Sequence, residues 1–159
     1  MLNEKQLQFL ERAIDLARIG IIESKGGPFG CIIVRHGEII AEGYNEVTSN
    51  NDPTAHAEIV AIRKACKNLD TWQLTDCDVY ASCEPCPMCL GAIYWARVSN
   101  VIYASTRHDA AAVNFDDDFI YKEININTAE RKIKFQHYPH PKAKEVFDYW
   151  LSVESKLKY

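Results

Sequence analysis

Two short segments of this chain bring together residue types that share metal ions, Thr54-Ala55-His56-Ala57-Glu58 and Pro85-Cys86-Pro87-Met88-Cys89. Cysteines separated by two residues suit zinc, because both sulfurs of one turn reach a single tetrahedral ion. The pair falls at the expected start of a helix, where Pro87 suits the first turn and the positive helix end favours thiolates. With His56, Cys86 and Cys89 as ligands, a fourth tetrahedral position stays open to water, the pattern of catalytic rather than structural zinc. Zinc can lower the pKa of bound water from 15.7 to roughly 7, which supplies a nucleophile at neutral pH. Glu58, two residues after His56, can take the water proton and return it to a leaving group, work worth about 10²–10⁴-fold.

Plainer readings compete with each residue taken alone. Cys86-x-x-Cys89 could be a redox pair, and Cys83 could close a structural four-ligand site. His56 alone could be a capping or core histidine, and Glu58 an ordinary first-turn acid. The four together favour a catalytic centre with one Zn2+ per chain.

Elements that could position these groups are legible in the pattern. Asn3 to about Glu23 reads as an amphipathic helix, with Asn3 and Gln6 as a capping pair. Two strand-like runs, Cys31–Arg35 and Ile39–Gly43, flank a hairpin turn at His36-Gly37-Glu38. A polar loop from Tyr44 to Pro53 leads to a helix from Thr54 to about Lys67. Strand Asp78–Ala81, helix Cys86 to about Arg97 and strand Asn100–Ala104 form a unit whose crossover implies parallel pairing. Beyond His108 the pattern predicts a short helix over Phe115–Glu123, a strand over Lys132–Tyr138 and a closing helix from Pro141 to about Lys156.

The chain has 159 residues, 47% hydrophobic and 11% aromatic, which fits one α/β domain spanning residues 1–159 with a real core. No apolar run approaches the roughly 20 residues of a membrane helix, and the N-terminus has no signal-peptide core. Six cysteines in that context are expected to be reduced, with Cys31, Cys66 and Cys77 as small buried hydrophobes in a cytoplasmic protein. The net charge is −4, and the basic clusters at Arg63/Lys64/Lys67 and Arg131/Lys132/Lys134 read as solvated faces. Proteins that hold long nucleic acids usually show a basic excess, so a small-molecule substrate is the expectation and nucleic acid is not.

The two segments are also the H-x-E…P-C-x-x-C signature of zinc nucleobase deaminases. The chain resembles the cytidine deaminase-like superfamily over nearly its whole length, and within it the bacterial guanine deaminases. The stretches GGPFGCIIV, SNNDPTAHAEIVAIRKAC, SCEPCPMCLGAIYWAR and NFDDDFIYKEI and the terminal Tyr159 carry that likeness. The resemblance implies a three-layer α/β/α fold around a mixed five-stranded sheet. It implies His56, Cys86 and Cys89 as zinc ligands and Glu58 as the proton carrier. It further implies that Asn45, the backbone of Ala57, Phe29, Asp117 and Tyr159 contact a purine base. A homodimer is implied too, with a C-terminal segment of about residues 140–159 exchanged between subunits.

The expected reaction is then hydrolysis of guanine to xanthine and ammonia. Three other functions are compatible with the same residues. A tRNA adenosine deaminase has a nearly identical motif but should carry a basic groove. Zinc chemistry alone does not choose the ring, so cytosine, cytidine or another amino-heterocycle is possible. A zinc-stabilised binding module without turnover is the reading from a different class. The secondary residues have plain readings of their own: Asn45 as a loop stabiliser, Phe29 as core, Asp116 to Asp118 as a solvated helix start, Tyr159 as a fraying end.

Overall fold

The computed structural model describes residues 1–115 and 117–157. The elements in chain order are α1 (Glu4–Ile22), β1 (Gly30–Arg35), β2 (Glu38–Tyr44), α2 (Val47–Asn50), α3 (Ala57–Leu69), β3 (Cys77–Cys83), α4 (Pro87–Ala96), β4 (Asn100–Ser105), α5 (Arg107–Ala111), α6 (Asp118–Asn125) and α7 (Pro141–Ser152). A 3-10 turn occupies Thr128–Glu130. By compactness the chain divides into two units, Met1–Ile120 and Tyr121–Tyr159.

The first unit is built on a sheet of strand order β2-β1-β3-β4. β1 runs antiparallel to both β2 and β3, and β3 pairs parallel to β4, as the strand–helix–strand order required. The β1–β2 hairpin turns through His36 and Gly37, with φ values of 50° and 77°, the left-handed pair of a two-residue turn. β1 is apolar along nearly its whole length because both of its faces are covered. On one face Ile32, Val34 and Tyr80 meet Ala13 and Leu16 of α1. On the other, Cys31, Ile33 and Val79 meet Ala57, Ala61 and Ala65 of α3 and Ala96 of α4. Helix, sheet and helices thus make three layers.

Two glycines set how closely the helices sit on the sheet. A Cβ at Gly30 would collide with the α1 backbone at Ala13 O and Ala17 N. A Cβ at Gly43 would stand 2.5 Å from Ala57 O and 2.8 Å from Ala61 N of α3. Both strands therefore let helix backbone touch strand backbone. α1 starts at the capping box expected of Asn3 and Gln6, with both reciprocal bonds in place at 2.9 and 3.0 Å.

The expected fifth strand is not formed. Residues 134–140 take no regular structure, and the described sheet has four strands. The alternation Ile133, Phe135 resembles a strand locally, but a strand also needs a neighbouring edge to supply its hydrogen bonds. In the second unit Ile133, Phe135 and Tyr138 are exposed, as are Val146, Phe147, Tyr149, Trp150 and Leu151 of α7. No helix of the described residues is long and apolar enough to cross a membrane.

Candidate active site

His56 and Cys86 are the N-cap residues of α3 and α4, and neither spends its side chain on capping its own helix. Both side chains turn instead to a common point. His56 Nδ1 lies 3.5 Å from Cys86 Sγ and 3.5 Å from Cys89 Sγ. The ligand atoms of the three residues all lie within 4.8 Å of one another. A tetrahedral zinc with bonds of about 2.3 Å to sulfur and about 2.0 Å to nitrogen spaces S and N by about 3.5 Å, so the donors fit that ion. Pro87 occupies the first turn of α4, where it needs no amide, and Cys89 follows within that turn. Cys83 is not part of the cluster; its thiol donates to the Thr106 carbonyl at 3.5 Å.

The electrostatics suit metal binding. The Cys86 thiol is brought down to about 4, chiefly because the Cys89 thiol donates to it and His56 faces it. Cys89 moves the other way, held up by Cys86 and by burial. The contact with Cys86 also raises His56. Glu58, only 7% exposed in the first turn of α3, is pushed above the ordinary carboxyl range by burial, with the Cys86 sulfur adding to the effect.

This cluster forms part of the wall of a cavity of about 600 Å³. His56, Glu58 and Cys86 line it together with Phe29, Asn45 and Asp117, three of the expected substrate contacts. Asn45 is 5% exposed, and its Oδ1 accepts from the amides of Gly27 at 3.1 Å and Val47 at 3.2 Å. The oxygen is thereby committed to two backbone amides, one on the Gly26–Gly27 loop and one at the start of α2. Phe29 meets the ring of Phe115 edge-on, with centroids 5.0 Å apart, while also packing on the core. Pocket and core readings of Phe29 therefore both apply. Burial raises the Asp117 carboxyl. The Ala57 methyl is buried in the core, leaving only its backbone between His56 and Glu58. Tyr159 lies outside the described residues.

Residues 3–105 match the family model of the cytidine and deoxycytidylate deaminase zinc-binding region. The chain belongs to this zinc-binding deaminase family. The deaminase is 55% identical to guanine deaminase of Bacillus subtilis (strain 168) over 95% of its own length and 97% of that protein. A solved structure of guanine deaminase from Bacillus subtilis superposes with a TM-score of 0.95, at 53% identity and covering 99% of both chains. The tRNA-specific adenosine deaminase of Aquifex aeolicus is a more distant relative, 36% identical over 75% of this chain and 76% of that one.

The deaminase also lines its cavity with groups that motif reading passed over, among them Glu84, Arg107, Asn114 and Phe115. All but Glu84 follow β4, at the carboxyl end of the parallel pair, where α/β sheets gather their sites. The signal that marks the place is Thr106-x-x-Asp109, a capping box that starts α5.

Proposed function

We propose that this deaminase hydrolyses guanine to xanthine and ammonia, with one zinc ion per chain held by His56, Cys86 and Cys89. The observation that carries the reading is a buried, upward-shifted Glu58 beside the three-donor cluster on one cavity wall, in a chain similar to guanine deaminase over 95% of its length. When bound, the zinc supplies a Lewis acid that makes water nucleophilic at neutral pH.

The chain's own residues do the rest. Glu58 accepts one proton of the water that adds to C2 and delivers it to ring N3; it then carries the second proton of that water from the new C2 hydroxyl to the amine, which leaves as ammonia as the C2 carbonyl forms. Its burial keeps the carboxyl ready to carry a proton rather than fixed as a solvated anion. Asn45 offers its NH2 group, so the base must present an acceptor there, as guanine does with O6 and N7. Asp117 accepts from the ring N–H and amino donors, and Phe29 gives the planar base an aromatic wall. The backbone of Ala57 and the Tyr159 hydroxyl complete the contacts in this reading. Net charge −4 fits a free base better than tRNA.

We place the protein in the cytoplasm, where its six free cysteines stay reduced. It acts as a homodimer in which a C-terminal segment of about residues 140–159 is exchanged. The exposed apolar residues of α7 support a partner-covered helix, and light scattering should give twice 18.1 kDa.

The test compares zinc-loaded wild type with Glu58→Gln on guanine, following xanthine and ammonia. Wild type should turn over, and the variant should lose about 10²–10⁴-fold in kcat while keeping its zinc. Wild-type activity confined to another base or to a nucleoside would overturn the substrate, and an active Glu58→Gln would overturn the proton carrier.

A further inference from the structure

We propose that Glu84 is a positioning residue that clamps the α5 wall of the cavity to the metal-binding loop, an inference that rests on the deamination reading above.

Helix α5 has only five residues and buries none of them. Packing of apolar side chains is confined to the half-buried Ala110 and Ala111, which leaves polar ties to fix where the helix starts. The first of these continues the sheet. Cys83 is the last β3 residue paired to β4, opposite Ser105, and the next amide, that of Glu84, donates to Ser105 O at 2.8 Å. The Glu84 carboxylate then reaches forward and accepts from the amide of Arg107 at 3.0 Å. Arg107 is the first residue of α5, and first-turn amides have no acceptor inside their own helix.

The cap itself covers the amides of Thr106 and Asp109. Asp109 takes the Thr106 amide at 2.7 Å, and the Thr106 hydroxyl takes that of Asp109 at 3.4 Å. The Arg107 amide is satisfied from outside the helix, by a residue two positions before Cys86. A weaker tie, from the Cys83 thiol to Thr106 O, runs beside it. A charged acceptor makes the Glu84 bond the stronger of the two.

At its far end α5 closes with Asn114 at φ 69°, and the Phe115 amide returns to Ala110 O at 3.0 Å. That reversal brings Phe115 edge-on to Phe29. Ala110, Asn114 and Phe115 all line the cavity. Holding the start of α5 thus sets the distance between the aromatic wall and the metal donors, while Glu84 itself takes no part in bond making. Its loss should loosen base binding more than the chemical step.

The experiment uses the full-length zinc-loaded protein as wild type, Glu84→Ala and Glu84→Gln. Guanine kinetics and amide hydrogen exchange across residues 107–115 are measured on each. Gln keeps an acceptor oxygen, so it should behave within about twofold of wild type. Ala should raise KM about tenfold with kcat within about threefold, speed exchange in α5 and leave zinc content unchanged. Unchanged exchange and KM in Glu84→Ala would overturn the clamp. So would a Gln variant with KM raised as far as in Ala while exchange in α5 stays at the wild-type rate, which would mean the charge acts directly on the substrate. Loss of zinc from Glu84→Ala would also overturn it, by making the residue a support of the metal loop. Exchange is independent of turnover: wild type inert on guanine, with α5 loosened by Ala and restored by Gln, sinks the substrate and leaves the clamp standing.

Discussion

His56 and Cys86 hold the same station in two different helices. Each is the residue before the first helical one, in extended backbone at φ −67°, ψ 155° for His56 and φ −66°, ψ 168° for Cys86. An N-cap side chain ordinarily folds back on the amides of its own helix. Here both project instead toward each other, to 3.5 Å. Two positive helix ends therefore converge where the donors must hold thiolate and cation together.

That convergence makes the metal content sensitive to either cap. In Cys86→Ser the harder, poorly ionised hydroxyl replaces a thiolate held near 4. Elemental analysis after dialysis should find zinc at under about a tenth of the wild-type level. Full zinc in the variant would remove Cys86 from the ligand set.

Asn45 offers a test of donor polarity. Asp in its place can still accept from Gly27 and Val47 but has no NH2 group to donate. Asn45→Asp should therefore fold, with KM for guanine raised about tenfold or more. Asn45→Ala instead leaves the Gly27 and Val47 amides without this acceptor and should unfold about 1–3 kcal/mol more easily in urea. Equal KM for Asn45→Asp and wild type would reduce Asn45 to a loop stabiliser.

Gly43 couples the sheet to the site. The added carbon of Gly43→Ala would stand 2.5 Å from the backbone oxygen of Ala57, so α3 must shift, and α3 carries His56 at its cap and Glu58 in its first turn. A stability loss of about 1–3 kcal/mol is expected, with weakened zinc retention. A urea midpoint and zinc content both equal to wild type would show that the contact gives way locally.

The fork between Arg12 and Glu42, at 2.7 Å for both bonds, ties α1 to β2. The Arg12 guanidinium holds the Glu42 carboxyl below its ordinary 4.5. A depressed folded value means stability present above pH 4.5 and lost as pH falls through that lower value. Both side chains are over a third exposed or close to it, at 39% and 34%, so solvent screening keeps the effect near 0.5 kcal/mol, roughly. Glu42→Gln should melt lower than wild type at pH 7 and converge with it under acid. A gap that persists at pH 3 would point to packing instead of charge.

Elements whose signals are local were legible before any fold was known. The Asn3/Gln6 box, the His36-Gly37 turn and the Pro87 start each depend on residues within one turn of one another. α3 begins at Ala57 rather than Thr54, because His56 takes the cap. Helices α2 and α5 went unread, being four and five residues long with no buried face to produce a periodicity. The stretch Lys132–Tyr138 alternates like a strand yet forms none, since alternation does not reveal whether another strand's edge is at hand.

What the amino-acid order determined by itself is the donor chemistry: one imidazole, two sulfurs a turn apart and a carboxylate two residues from the imidazole, at spacings that helix starts enforce. Tertiary packing decided that the two starts meet, although thirty residues separate His56 from Cys86. It also decided that Asn45 spends its oxygen on two backbone amides and that Glu84 reaches α5. The reason is physical: turn and helix geometry follows from bonds between near neighbours, whereas the distance between remote segments is set by how α1, α3 and α4 press on the sheet at Gly30, Gly43 and the core between them.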